Sequence, residues 1–146
     1  MPTVFFYISG HGFGHAVRQI TIINALRNVV PQVRVVVRTT AAAWLFNRTV
    51  RGAFDLMPGE TDSGVVQIDS LHLDERDTIV RAREFQQRFS ELVPREAALL
   101  RSLGADFVVV DAPPLGCAAA FAADVPSVVC ANARWTARRS STAPAP

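Results

Sequence analysis

Thr3 to Ser9 (TVFFYIS) is an unbroken apolar, β-branched and aromatic run that ends in three alternate glycines, Gly10, Gly12 and Gly14, and no other feature restricts the fold as much. A run of one strand's length without polar alternation is buried on both faces, which requires a sheet covered on both sides. Beyond the glycines, Ile20, Ile23 and Leu26 recur at helical spacing between His15 and Leu26, with Ala16 and Ala25 small enough for close packing. Strand, tight turn and helix open a βαβ unit, and the rest of the chain repeats the alternation.

Val33 to Arg38 (VRVVVR) reads as the second strand and Ala41 to Asn47 as a short helix, after which Gly52, Pro58 and Gly59 mark a loop. Val65 to Ile68 reads as the third strand. A long helical pattern then spans Asp74 to Leu103, with Ile79, Phe85, Phe89 and Leu92 inward and Arg76, Arg83, Glu84 and Arg88 outward. Asp74 is its expected N-cap, Asp77 supports the first turn, and Pro94 should bend the helix or split it in two. Asp106 to Asp111 (DFVVVD) is the clearest buried strand, Leu115 to Ala123 an Ala-rich helix, and Pro126 to Ala131 (PSVVCA) a fifth strand. The fold expected is α/β and Rossmann-like, a parallel sheet with helices on both faces and right-handed crossovers. One incomplete domain should span residues 1–135, leaving 136–146 (TARRSSTAPAP) as a disordered tail and Ser127 to Ala131 as an uncovered apolar edge.

Composition narrows the function classes. Hydrophobic residues make up 49% and charged residues 19%, which suits a folded chain and not a disordered one. The net charge is only +2, and the basic residues, all arginine, are scattered along helices instead of gathered in one run, so no nucleic-acid partner is expected. Cys117 and Cys130 lie in apolar segments without metal-ligand spacing and read as buried thiols of a cytoplasmic protein. Met1 to Ser9 lacks a basic n-region, and no stretch reaches the roughly 18 apolar residues of a membrane span, so the chain reads as soluble or at most peripheral to a membrane.

In open α/β sheets, ligands gather at the carboxyl ends of the strands. Two segments should converge there: the loop Gly10-His11-Gly12-Phe13-Gly14-His15 after the first strand, and Asp111 to Leu115 after the fourth. Bare glycine backbone and a following helix N-terminus suit a phosphate or a network of sugar hydroxyls. The phosphate-loop motif is absent, since there is no Gly-Lys-Ser/Thr. A dinucleotide fingerprint fits poorly, because His15 stands at its third glycine and the second strand ends in Arg38 instead of an acid. His11 and His15 are four apart, yet Gly12 and Gly14 break the helix that a zinc pair would need.

His11 therefore remains either a loop histidine bonding backbone carbonyls or a substrate contact. His15, at a helix start facing the strand ends, suits a base that takes a proton from a hydroxyl. Such a base needs an orienting carboxylate, and Asp111 is the acid placed to supply it. The alternative for Asp111 is to cap the helix that follows Pro113 and Pro114.

The segment GHGFGHA with Arg18 beyond it, DSLHLD at Asp69 to Asp74, and the stretch DFVVVDAPPLGCAAAFAADVPSVV together resemble the N-terminal, acceptor-side half of the GT-B superfamily of glycosyltransferases. The nearest likeness is to bacterial glycosyltransferase-like proteins and to the N-terminal region of plant arabinokinases. The resemblance implies a sugar transferred from a nucleotide sugar to a small-molecule or lipid-linked acceptor, with inversion. His15 would be the general base and Asp111 its partner. Gly10, His11, Gly12, Phe13, Gly14, Arg18, Pro113 and Asn132 would lie around the substrate. No cofactor or metal is implied, because the nucleotide sugar is a substrate, and a missing C-terminal half would hold it. The chain should accordingly be inactive by itself. It departs from the resemblance at Ala133, Arg134 and Thr136. A rival reading is a non-catalytic sugar- or nucleotide-binding module, such as the front of a sugar kinase, using the same pocket.

Overall fold

The computed structural model describes residues 1–66, 68–69, 72–130 and, for the main chain, 135–137. The elements alternate as the sequence pattern requires: β1 (Thr3–Tyr7), α1 (Phe13–Val29), β2 (Arg34–Thr39), α2 (Ala43–Thr49), β3 (Asp55–Pro58), α3 (Glu75–Ser102), β4 (Phe107–Val110), α4 (Pro114–Ala123), β5 (Ser127–Cys130) and β6 (Trp135–Ala137). They build one sheet in the order β3-β2-β1-β4-β5-β6. The first five strands run parallel, and β6 lies antiparallel on β5. This is a Rossmann-like α/β fold with β1 and β4 side by side at its centre.

The pleat divides the apolar strand residues between two cores. Phe6, Ile8, Val35 and Val37 pack with Ile20 and Ile23 of α1 and Leu45 and Phe46 of α2. Phe5, Tyr7, Val36, Val108 and Val110 pack on the opposite face with Leu100 of α3 and Ala119 and Ala120 of α4. Helices on both faces explain why β1 carries no polar alternation. Each large side chain removed from water in this way stabilises the fold by about 1.5–3 kcal/mol.

On the second face a polar network ties α3 to the sheet. The buried Tyr7 hydroxyl donates to Glu96 Oε2 at 2.9 Å, and Arg38 reaches both Glu96 oxygens, from Nε at 3.2 Å and from Nη2 at 2.7 Å. Arg38 also donates to the Pro58 carbonyl, which fixes the end of β3.

The structure corrects the expected boundaries in four places. The third strand is Asp55–Pro58, not Val65 to Ile68. Val66 instead bonds the start of α3, its amide to Thr78 Oγ1 at 3.0 Å and its carbonyl to the Asp74 amide at 2.9 Å. Asp74 caps α3 by accepting from the Asp77 amide at 2.8 Å, but Pro94 does not split the helix, which continues through it from Glu75 to Ser102. Pro94 and Ser90, whose carbonyl loses its helical donor, are both exposed, so water can replace the lost bond. Ile79 is exposed because the first turns of α3 have no layer over them, whereas Phe85 is buried; Ala25 of α1 is exposed too. Finally, Thr136 and Ala137, expected in the tail, pair with β5, so its edge is covered, while residues 138–146 lie outside the described residues.

Candidate functional site

The register Tyr7↔Val110 brings the loops after β1 and β4 out of the sheet side by side. Asp111 is the first residue beyond β4, and its amide donates to the Tyr7 carbonyl at 3.0 Å. Its side chain is fully buried and turned toward α1. There, His15, Arg18 and Gln19, spaced i, i+3 and i+4 on one helix face, converge on the two carboxylate oxygens. His15 Nδ1 bonds Oδ2, while Oδ1 accepts from Arg18 Nη1 at 3.0 Å and from Gln19 Nε2 at 3.4 Å.

A buried carboxylate is stable only when its charge is paired and its lone pairs are used, and three donors meet both needs. In the neutral ring, a partner that only accepts puts the proton at Nδ1 and leaves Nε2 with a lone pair, on a side chain that is 33% exposed. Asp111 does not cap α4, whose N-cap is Pro113 with no side-chain bond, Pro114 following at the first helical position. Pro113 itself is buried beside this loop.

The glycine loop is held open by its backbone. Gly12, the N-cap of α1, has φ 74° and ψ 161°, a region that residues with a Cβ avoid. No side chain caps α1 and the helix carries no acid of its own in its first turn, so its first amides are left uncapped at the strand ends. Space beside Gly12 and Gly14 is clear, with no atom within 4 Å of where a Cβ would stand. Gly10 is the reverse case, since a Cβ there would come within 1.9 Å of Thr40 Oγ1. The loops after β1 and β2 touch at that point.

The remaining expected site residues divide. His11 turns to the segment after β3, its Nε2 3.6 Å from Asp62 Oδ1 and its ring over Gly64, while its amide donates weakly to Ser9 Oγ at 3.4 Å. That segment is anchored by Thr61, whose hydroxyl donates to the Ile8 carbonyl at 3.1 Å. Phe13 points outward and meets Trp44 of α2 edge to face, with centroids 5.8 Å apart. Asn132 lies outside the described residues. Arg38, at the position where an acid would favour a dinucleotide, is paired to Glu96 on the α3 side of the sheet.

Two residues at the site were missed by sequence reasoning. Gln19 is fully buried with its amide nitrogen turned to Asp111, and the Cys130 thiol is pushed up chiefly by burial. The spacing of Gln19 from His15 was the available signal. Trp44 gave none, because a tryptophan in a short apolar helix reads as core.

No family model matches the chain. Over 132 residues, 89% of its length, the chain is 33% identical to L-arabinokinase of Arabidopsis thaliana, of which it spans 12%. Among solved structures it is similar to MurG of Acinetobacter baumannii, with a TM-score of 0.51 and 14% identity over 88% of this chain and 35% of that one. It is also similar to the ligand-free UGT2 of Phytolacca americana, at TM-score 0.55 and 14% identity over 88% of this chain and 29% of that one. The C-terminal domain of a Pyrococcus furiosus hydrogenase gives TM-score 0.55 and 14% identity, covering 88% of this chain and 89% of that domain. These likenesses establish the fold, a Rossmann-like unit matching one half of GT-B glycosyltransferases.

Proposed function

We propose that this chain, with the fold of one half of a GT-B glycosyltransferase, supplies the acceptor side of an enzyme that transfers a sugar from a nucleotide sugar to a hydroxyl. The observation that carries the reading is the contact of His15 Nδ1 with the buried carboxylate of Asp111. That contact presents Nε2 as the proton acceptor at the mouth of the glycine loop. In the reaction, the acceptor oxygen attacks the anomeric carbon as its proton passes to Nε2. The bond from that carbon to the nucleoside diphosphate breaks, and the configuration inverts. Asp111 holds the ring and offsets the charge of the imidazolium. No step is assigned to a metal or a resident cofactor. On this reading donor binding falls to a second half, as the match to only one half of the GT-B fold suggests.

A test is to join the chain to a nucleotide-sugar-binding half and compare His15→Ala with the parent. The expected result is a fall in kcat of about 100-fold or more with KM for the acceptor little changed. Equal losses in kcat and acceptor affinity would favour the rival, a sugar- or nucleotide-binding module without chemistry. That rival has its own support, since the arabinokinase to which the chain is 33% identical is named as a kinase and not as a glycosyltransferase.

A further inference from the structure

We infer that Phe13 and Trp44 form a ligand-binding shelf beside the glycine loop, and that its occupant is the pyranose ring of a carbohydrate acceptor. The inference rests on the acceptor-side reading above and names the class of acceptor. Both rings stand at helix starts, Phe13 opening α1 after β1 and Trp44 in the first turn of α2 after β2, so they lie at the ligand edge of the sheet. They touch each other at 61° between planes, yet Phe13 remains 62% and Trp44 53% exposed. Two large aromatic side chains held together in water at a sheet's functional edge are costly to leave bare. Val17, one turn after Phe13 and also exposed, extends the patch by a single residue.

The surroundings choose the occupant. Beside the rings lies the open backbone of Gly12 and Gly14, with the uncapped amides of α1, and on the far flank of α1 stand His15 and Arg18. A purely aromatic acceptor would need an enclosed apolar cleft to bury both of its faces. An open shelf buries one face only and leaves the rest of its occupant wet. A pyranose fits that asymmetry, since its C–H face suits the negative ring faces of tryptophan and phenylalanine and its hydroxyl rim can bond the exposed backbone.

The chain has two tryptophans, so Trp135→Phe leaves Trp44 as the sole indole reporter. Titrating that protein with methyl β-glucopyranoside should give a saturable change in fluorescence, weakened about tenfold by Phe13→Ala. Calorimetry should show a similar loss for Trp44→Ala, an exposed position, with circular dichroism to check that the variant is folded. A response to phenol but not to the glycoside would overturn the proposal in favour of an aromatic acceptor. A signal that follows protein concentration instead of ligand would overturn it in favour of a second copy of the chain, and silence with both probes would leave the shelf without a ligand role. Glycoside binding without transfer in the joined enzyme would sink the transferase reading alone. Transfer with an acceptor KM indifferent to Trp44→Ala would sink the shelf alone.

Discussion

Arg18 donates to Asp111 Oδ1 at 3.0 Å while His15 holds the other oxygen, so one buried carboxylate serves a cation and an imidazole together. The consequence is that Asp111→Asn should be far from conservative. Asparagine offers one acceptor oxygen to the three donors of His15, Arg18 and Gln19, and its own amide hydrogens face donors. In the joined enzyme, kcat should fall by about 100- to 10,000-fold as the His15 tautomer is lost. Urea unfolding should also show a stability loss of about 1–3 kcal/mol from donors left unpaired. Full activity in this variant would mean that the His15–Asp111 contact has no catalytic part.

The network on the opposite face should matter for stability and not for ligand binding. Glu96 and Arg38 side chains are 7% and 18% exposed, so Glu96→Ala leaves a largely buried guanidinium without its anion, at a cost of about 3–5 kcal/mol. Tyr7→Phe removes one bond and should cost about 1–2 kcal/mol. Denaturant midpoints measure both, and a smaller loss for Glu96→Ala than for Tyr7→Phe would show that the ion pair contributes little.

Much of this arrangement was legible in the residues, and the failures have physical causes. β1 and β4 were visible because strands covered on both faces must be continuously apolar, and their adjacency placed His15 near Asp111. β3 was invisible because DLMP has no β-branched residue and ends in proline, which an edge strand tolerates. Val65 and Val66 imitated it with an apolar pair that lies beside α3. β6 hid because it is three residues long, Trp135–Ala137, and its pairing is supplied by β5 and not by a strand pattern of its own. Trp44 hid for the opposite reason, its apolar setting suggesting a core that the fold does not put over it.

The contact between the first and second loops should be sensitive to a single methyl group. Gly10→Ala would place a Cβ 1.9 Å from Thr40 Oγ1 and 3.1 Å from its Cβ, so one loop must move. A stability loss of about 1–3 kcal/mol is expected from the overpacking, with Thr40→Ala in the same chain recovering part of it. Additive losses in the double variant would mean that the two loops do not press on each other. Gly12→Ala tests a separate cause, since nothing lies within 4 Å of its Cβ and the cost of about 1–3 kcal/mol would come from its backbone angles.

Stability should fall in mildly alkaline solution. Burial pushes the Cys117 thiol up, and it does the same to Cys130, with the Asp111 charge adding to the shift. Tyr7 is raised as well, by burial first and then by Glu96. A group raised on folding keeps its proton in the native state where the unfolded chain has lost it. The stability is therefore intact below the unfolded thiol value of about 8.5 and declines as pH rises above it, with Tyr7 adding to the decline above about 10. Urea midpoints between pH of about 7 and 10 should decrease, and Cys117→Ala with Cys130→Ala should flatten the first part of that decline. An unchanged slope in the double variant would exclude the thiols as its source.

The chain by itself should bind acceptor without turning over any nucleotide sugar. On the transferase reading, a departing nucleoside diphosphate needs donors aimed at its developing charge. At the strand ends the described residues offer the amides of α1 and the guanidinium of Arg18, and Arg18 is already engaged by Asp111. Self-association is not needed to explain inactivity, because β6 covers β5, and the far edge, β3, is short, ends in Pro58 and carries Asp55 paired to Arg34 at 2.8 Å. Sedimentation should thus report a monomer, and an assay for released nucleoside diphosphate should stay at background for the chain alone and rise when a nucleotide-sugar-binding half is supplied. Release by the unaided monomer, abolished by His15→Ala, would show that the whole reaction is housed in this one Rossmann-like unit.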